Sequence, residues 1–255
     1  MKIGYHKSIS KGLIQTVKEI KEEELSCVQI FAGSPRSYFP SEKYTIDDFI
    51  HMSNLNIPKF VHINYFVNLC GDKEVIQESI SKNMIFCDKI NADGLVIHMG
   101  SEKDIEKGMS KTLENLLFAK KKYVEEIGEE SRVKILIETT SEGGNRLKWN
   151  SILNLLELDK TLGMVYDTAH MYAAGYDVIK HIEENHKLID LIHLNNPSPN
   201  VEFGKHKDQH DISLFSEKGK FTYDEISKII ELCDKFDLPM VLETGDMLDD
   251  FNKIK

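Results

Sequence analysis

Eight short apolar runs, separated by longer amphipathic stretches, constrain the fold of this chain more than any other feature. They are "KIGYH" (2–6), "CVQIF" (27–31), "KFVHIN" (59–64), "GLVIH" (94–98), "KILIET" (134–139), "GMVYD" (163–167), "LIDLIHLN" (188–195) and "PMVLET" (239–244). Each has the length of a buried strand, and their near-continuous apolarity suits strands covered on both faces. The stretches 12–23, 72–89, 104–127, 176–186 and 222–236 carry apolar residues three and four apart, with charges on their other faces, and so predict helices. Eight strands alternating with helices in 255 residues predict a (β/α)8 TIM barrel, one domain over residues 1–255. A doubly wound open sheet is the alternative. One irregular stretch, residues 195–220 at the end of the seventh run, is too long for a bare connection and is a candidate functional loop.

Composition then removes several classes of function. No apolar run reaches the roughly 18 residues needed to cross a bilayer, and "MKIGYHKSIS" has no signal-peptide core, so an intracellular, cytoplasmic protein is expected, with a nuclear or virion setting left open. The four cysteines are scattered without a CxxC pair, which argues for reduced thiols and against a disulfide frame or a thiolate zinc site. A formal charge of −10 counts against a nucleic-acid partner, because such proteins usually show a basic footprint. That count omits bound metal ions, which can be the largest local charges in a site.

The runs finish on His6, a Gln29/Phe31 pair, His62, His98, Glu138, Asp167, His193 and Glu243. In a parallel barrel all strand C-termini open onto one face, so these side chains would share a pocket. Asp167 could simply cap a helix, and a lone strand-end histidine is commonly structural. The imidazoles of His62, His98 and His193 brought together with three carboxylates differ, because unpaired carboxylates repel and raise one another's pKa unless cations lie among them. Mixed imidazole and carboxylate without thiolate suits zinc or manganese. His170, three residues after Asp167, and the pair Asp208 and His210 in "KHKDQHD" bring the candidate ligands to five histidines and four carboxylates. That is too many for one tetrahedral ion and enough for two or three with a bridging carboxylate.

With those residues in place the sequence resembles the endonuclease IV family along its whole length: "VHINY", "VIHMGS", "LIETT", "DTAH", "IHLN", "DQH" and "LETG" match that family's ligand motifs in order. The resemblance implies three Zn²⁺ per chain. His62, His98 and Glu138 would hold one, Glu138, Asp167, His193 and Glu243 a second, and His170, Asp208 and His210 the third. It implies double-stranded DNA containing abasic sites as the partner, and cleavage of the phosphodiester 5′ to the abasic site to leave a 3′-hydroxyl and a 5′-deoxyribose phosphate. Glu138 and Glu243 are the expected catalytic residues. Arg36 in "AGSPRSYFP" and Tyr65 and Phe66 in "NYFVN" match the family's DNA-penetrating residues, and His6 would support a ligand or touch a DNA phosphate.

Three zinc ions with four carboxylates leave a local charge of about +2 and move the whole molecule from −10 to about −4. A monomer without membrane contact is expected. The departures fall in the loops: Ala169 stands where the family has Cys, "ETTSEGG" replaces "ENTAGQG", "HLNNPS" lacks an Asp and a Lys, and a Gly-rich segment is recast as "ISLFSEKGKF". His51, His181 and His186 lie on helical stretches and are expected on solvated faces, and His206 has no family counterpart. Two rivals remain. One is a sugar isomerase or epimerase using a single ion on Glu138, Asp167, His193 and Glu243. The other is a nucleic-acid-binding protein without catalysis, which the intact ligand set disfavours.

Overall fold

The structure, a computed structural model, describes residues 1–72 and 74–255. Eight parallel strands close into a barrel in chain order: β1 (Ile3–Lys7), β2 (Val28–Phe31), β3 (Lys59–His62), β4 (Gly94–His98), β5 (Lys134–Glu138), β6 (Leu162–Asp167), β7 (Leu191–Leu194) and β8 (Met240–Leu242). The helices are α1 (Leu13–Glu22), α2 (Ile46–Ser53), α3 (Glu74–Lys89), α4 (Ile105–Ile127), α5 (Trp149–Leu158), α6 (Thr168–Ala174), α7 (Val178–Asn185), α8 (Tyr223–Lys235) and α9 (Met247–Ile254). The expected barrel is therefore present, and β8 pairing with β1 excludes an open sheet. Among the described residues no helix is long and apolar enough to cross a membrane.

Several boundaries differ from the sequence reading, for local reasons. The helix expected from Asp72 begins at Glu74 among the described residues, Lys73 lying outside them. Leu188 closes a short 3-10 turn rather than opening the seventh strand. The eighth strand stops at Leu242, so Glu243 stands one residue beyond it, its amide donating to Asn195 Oδ1 at 3.3 Å. Helix α6 starts directly at the end of β6, because the Asp167 side chain caps it by accepting from the His170 amide.

The strands are buried on both faces because alternate side chains serve two cores. Residues such as Leu95, Ile97, Ile135, Ile137 and Ile192 face the helices in one large cluster. Cys27, Phe60, Val96, Leu136, Val165, Leu191 and Val241 form a second cluster, one residue from each strand of β3 to β8 and one immediately before β2, which plugs the barrel interior. Each fully buried side chain of this size stabilises the fold by about 1.5–3 kcal/mol. The remaining strand, β1, contributes Gly4, where a methyl group would overlap the Cys27 carbonyl, so the plug closes around bare backbone there.

The plug fixes what lies above it. Two residues further along each strand, on the same inward face, stand Gln29, His62, His98, Glu138, Asp167, His193 and Glu243, with His6 above Gly4. Register aligns these into one ring: His6 opposite Gln29, Phe31 opposite His62, His98 opposite Glu138, and Asp167 opposite His193. The apolar layer thus floors a polar one at the barrel's C-terminal mouth.

Candidate metal centre

Glu138 is at the centre of the ring and is 1% exposed. Its two oxygens face different histidines: Oε2 lies 3.3 Å from His62 Nε2 and 3.5 Å from His98 Nε2, while Oε1 lies 3.5 Å from His193 Nδ1 and 3.4 Å from His170 Nδ1. Three sets of donor atoms fall within 4.8 Å of one another: His62, His98 and Glu138; Glu138, Asp167 and His193; and Asp167, His170 and His210. The third set differs from the resemblance, which paired His170 and His210 with Asp208. Asp208 is nonetheless adjacent, with Oδ1 3.1 Å from His170 Nε2 and 3.6 Å from His210 Nε2. Glu243 joins from the far side, Oε2 lying 3.3 Å from His193 Nδ1. Seven of the nine candidate ligands line one pocket of about 410 Å³, and the other two, Asp167 and His193, are fully buried with donor atoms clustered against Glu138.

The orientation of the imidazoles is set by their outer nitrogens. His62 Nδ1 donates to the Ile63 carbonyl at 2.6 Å, which leaves Nε2 as the lone-pair nitrogen facing Glu138. His170 Nδ1 donates to the Thr139 carbonyl at 2.8 Å and turns Nε2 to Asp208. His193 Nε2 donates to Gln29 Oε1 at 2.9 Å, so in the neutral ring Nδ1 carries a lone pair aimed between Glu138 and Glu243. That Nδ1 is the one buried side-chain polar atom without a hydrogen-bond partner among the described residues. A lone pair converging with two carboxylates in a buried site is repulsive unless a cation lies between them.

In the metal-free chain protons take that place. Burial would push His193 down, but the charges of Glu243 and Glu138 outweigh it and raise its pKa to about 9. Burial likewise opposes protonation of His170, and Asp167, Asp208 and Glu138 hold it well above its ordinary value. The carboxylates respond in kind: burial would raise Glu138, yet His98, His193 and His170 keep it well below the usual range. The donor set, imidazole lone pairs fixed by carbonyl and amide partners and shared among buried carboxylates, fits zinc.

The other expected site residues divide. His6 stands beside Glu243, Nδ1 to Oε1 3.6 Å, and accepts from Gln29 Nε2 at 3.1 Å, with its ring against Phe31. Tyr65 lines the pocket mouth, 64% exposed, its ring centroid 5.7 Å from that of His62 and 6.1 Å from that of His98. Phe66, also exposed, turns instead toward Tyr38 of the loop after β2. Arg36 is exposed in that loop and does not line the pocket.

Of the remaining histidines, His51 is exposed as expected. His181 is not on a solvated face: its ring packs on Trp149 at 4.5 Å and Tyr176 at 4.7 Å, and Nδ1 meets the Tyr166 hydroxyl. His186 stacks on Phe236, and His206 Nδ1 donates to the Ser141 carbonyl. His181 and His186 thus have packing roles, reached because neighbouring aromatics cover their rings, whereas His206 stays exposed and is held by that one hydrogen bond.

The likeness to known proteins agrees with this architecture. Residues 17–252 match the family described as xylose isomerase-like TIM barrel. The chain is 30% identical to the protein named Probable endonuclease 4 of Natranaerobius thermophilus over 234 residues, covering 82% of this chain and 80% of that protein. The chain belongs to the endonuclease IV family. Another relative, Probable endonuclease 4 of Carboxydothermus hydrogenoformans, is 30% identical over 69% of this chain and 65% of its own length. The crystal structure of endonuclease IV from Thermus thermophilus matches with a TM-score of 0.82 over 100% of this chain and 97% of that one, at 24% identity, a likeness of fold.

Within the family frame, sequence reading missed the residues that hold the ligands still. Asn195 Nδ2 donates to Asp167 Oδ2 at 2.7 Å, Thr139 Oγ1 accepts from the Asp167 amide, and Gln29 Nε2 donates to Glu243 Oε1 at 2.6 Å. Their signal was weak because neutral amides and hydroxyls at strand ends are common. It also passed over Arg146, whose Nη1 donates to Asp208 Oδ2 at 3.1 Å and to Ser141 Oγ at 2.9 Å.

Proposed function

We propose that the protein is a zinc-dependent apurinic/apyrimidinic endonuclease that holds three zinc ions and cleaves duplex DNA on the 5′ side of an abasic site, leaving a 3′-hydroxyl and a 5′-deoxyribose phosphate. The observation that carries the reading is the His193 Nδ1 lone pair, buried and without a hydrogen-bond partner among the described residues, converging with Glu138 and Glu243. It calls for a cation, and the other ligands extend that need beyond one ion. His62, His98 and Glu138 would hold one zinc, Glu138, Asp167, His193 and Glu243 a second, and His170, Asp208 and His210 a third. Glu138 suits the bridge because its two oxygens already face opposite histidines.

When bound, closely spaced zinc ions supply Lewis-acid stabilisation of the attacking and leaving oxygens of a phosphodiester and bring the pKa of water toward about 7. The chain's own part is to fix the ligands, exclude solvent below them and admit one sugar-phosphate unit. The apolar plug excludes water from beneath, which strengthens every electrostatic interaction in the ring above it. Tyr65 overhangs the ligands, where a ring can fill the space of an absent base. Arg36 and Phe66 are assigned to the DNA from the loops after β2 and β3.

Metal content per chain, measured together with incision of a duplex carrying one stable abasic analogue, tests the reading. About three zincs and incision are expected; one metal and no cleavage at high protein concentration would replace it with the isomerase. Removing both rings, Tyr65→Ala with Phe66→Ala, should weaken preference for abasic over intact duplex about tenfold or more, given base–aromatic stacking of about 1–3 kcal/mol, with metal content unchanged. Unchanged preference would return both rings to a role in covering the barrel rim.

A further inference from the structure

We infer that Arg146 is a phosphate-binding residue of the pocket, one that grips a backbone phosphate of the bound nucleic acid while it orients Asp208; this rests on the endonuclease reading. Among the described residues Arg146 is the one Lys or Arg that lines the pocket, in a chain of formal charge −10. A phosphodiester entering there meets one fixed organic cation.

The guanidinium is held ready. The loop after β5 is stitched to the loop after β4 by a bridge between Ser101 and Arg146, by the Glu102 amide donating to the Asn145 carbonyl at 2.8 Å and by the Leu147 amide donating to the Gly100 carbonyl. The Arg146 amide itself donates to the Gly143 carbonyl. Gly143 lets this loop lie against the segment carrying Asp208, because a side chain there would meet the His206 carbonyl at 2.7 Å. Both side-chain hydrogen bonds of Arg146 run from Nη1, to Asp208 and to the buried Ser141. Nε and Nη2 make none among the described residues, and the side chain is 39% exposed. Two parallel donors on a fixed plane match the oxygens of a phosphate, which a lysine ammonium does not.

A purely structural ion pair accounts for less. A half-exposed pair contributes at most about 1 kcal/mol, and it leaves the two free donors at the substrate pocket without a task. Asp208 also does not cancel the guanidinium once its other oxygen, facing His170 and His210, is engaged by a metal.

The nicked duplex that incision would leave, made synthetically with an abasic analogue, cannot be cut again at that bond, so its binding can be titrated on zinc-loaded protein. Anisotropy titrations at several salt concentrations should give Arg146→Gln a shallower dependence of log Kd on log salt than wild type, by about 0.9 for one phosphate contact. A fourfold rise in salt should then cost wild type about 3.5-fold more affinity than the variant. Arg146→Lys should restore the slope while keeping a lower affinity, and metal per chain should be unchanged in both. Equal slopes for wild type and Arg146→Gln would overturn the proposal, with accompanying metal loss leaving Arg146 only the positioning of Asp208. A reduced slope in both variants together with metal loss would overturn it too, since the charge retained by Lys would then have made no difference. Failure of the endonuclease reading is seen separately, as wild-type protein that does not incise the intact abasic duplex.

Discussion

Glu138→Gln should reduce incision of an abasic duplex by about 10³-fold or more while DNA binding stays measurable, because the substitution keeps the shape of the side chain and removes the charge that the ring is built around. The carboxylate is 1% exposed, and each of its oxygens faces two histidines, so no water or neighbouring acid can substitute for it. An amide in its place offers one neutral oxygen and one N–H group, and the N–H must point toward an imidazole. On the endonuclease reading, affinity for DNA would come largely from phosphate contacts and the loops, which this change leaves alone. A second readout separates metal binding from chemistry. Zinc at about 100 times its Kd should stabilise the wild-type fold by about 2.7 kcal/mol per independent site, visible as a rise in Tm, and the variant should gain less. Full incision by Glu138→Gln would remove the bridging role from this residue.

The barrel was legible because two periodicities coincide in the same short runs. Apolar residues on both faces signalled parallel strands, and the inward face changes from apolar to ionisable in a single step of two residues, Phe60 to His62, Leu136 to Glu138, Leu191 to His193. Reading the last inward residue of each run therefore located the ring before any contact was known. The sequence could not say whether Asp167 caps a helix or faces a metal, and the structure makes these compatible. Its Oδ1 accepts the His170 amide, so the cap itself sets the turn that brings His170 beside Asp167, while Oδ2 is steadied by Asn195.

What stayed hidden depends on contacts between loops. Arg146 sits in a segment with no periodicity, and its approach to Asp208, 62 positions away in sequence, follows from a bridge to Ser101 and a bare backbone at Gly143. His181 departs from its expected place for a related reason: helical spacing suggests a solvated face, and only the packing of α7 against Trp149 and Tyr166 covers it. Tyr65 and Phe66 are adjacent in sequence and equally aromatic, yet one ring stands over the ligands and the other over Tyr38. Neighbouring side chains on an irregular segment need not share a direction, so a two-residue motif fixes neither.

His170→Ala discriminates most sharply between the endonuclease and a single-ion isomerase on the same barrel. An isomerase ion held by Glu138, Asp167, His193 and Glu243 has no use for His170, and the substitution should then cost that activity little. On the trinuclear reading it should remove about one zinc per chain and lower incision by at least about 10²-fold, since ligands of one ion act as a unit. The structure also defines how a trivial loss of fold would look. His170 is 4% exposed on its side chain and its Nδ1 satisfies the Thr139 carbonyl, so truncation leaves a cavity and an unpaired carbonyl costing about 1–3 kcal/mol. His170→Gln provides the control, as it fills more of the cavity and can still donate to that carbonyl without supplying an imidazole nitrogen. Loss of one zinc and of incision in both variants, at a Tm that the Gln variant largely recovers, would tie His170 to the metal. Full metal content and full incision in His170→Ala would instead leave this histidine as a residue that only braces the junction of β6 and α6.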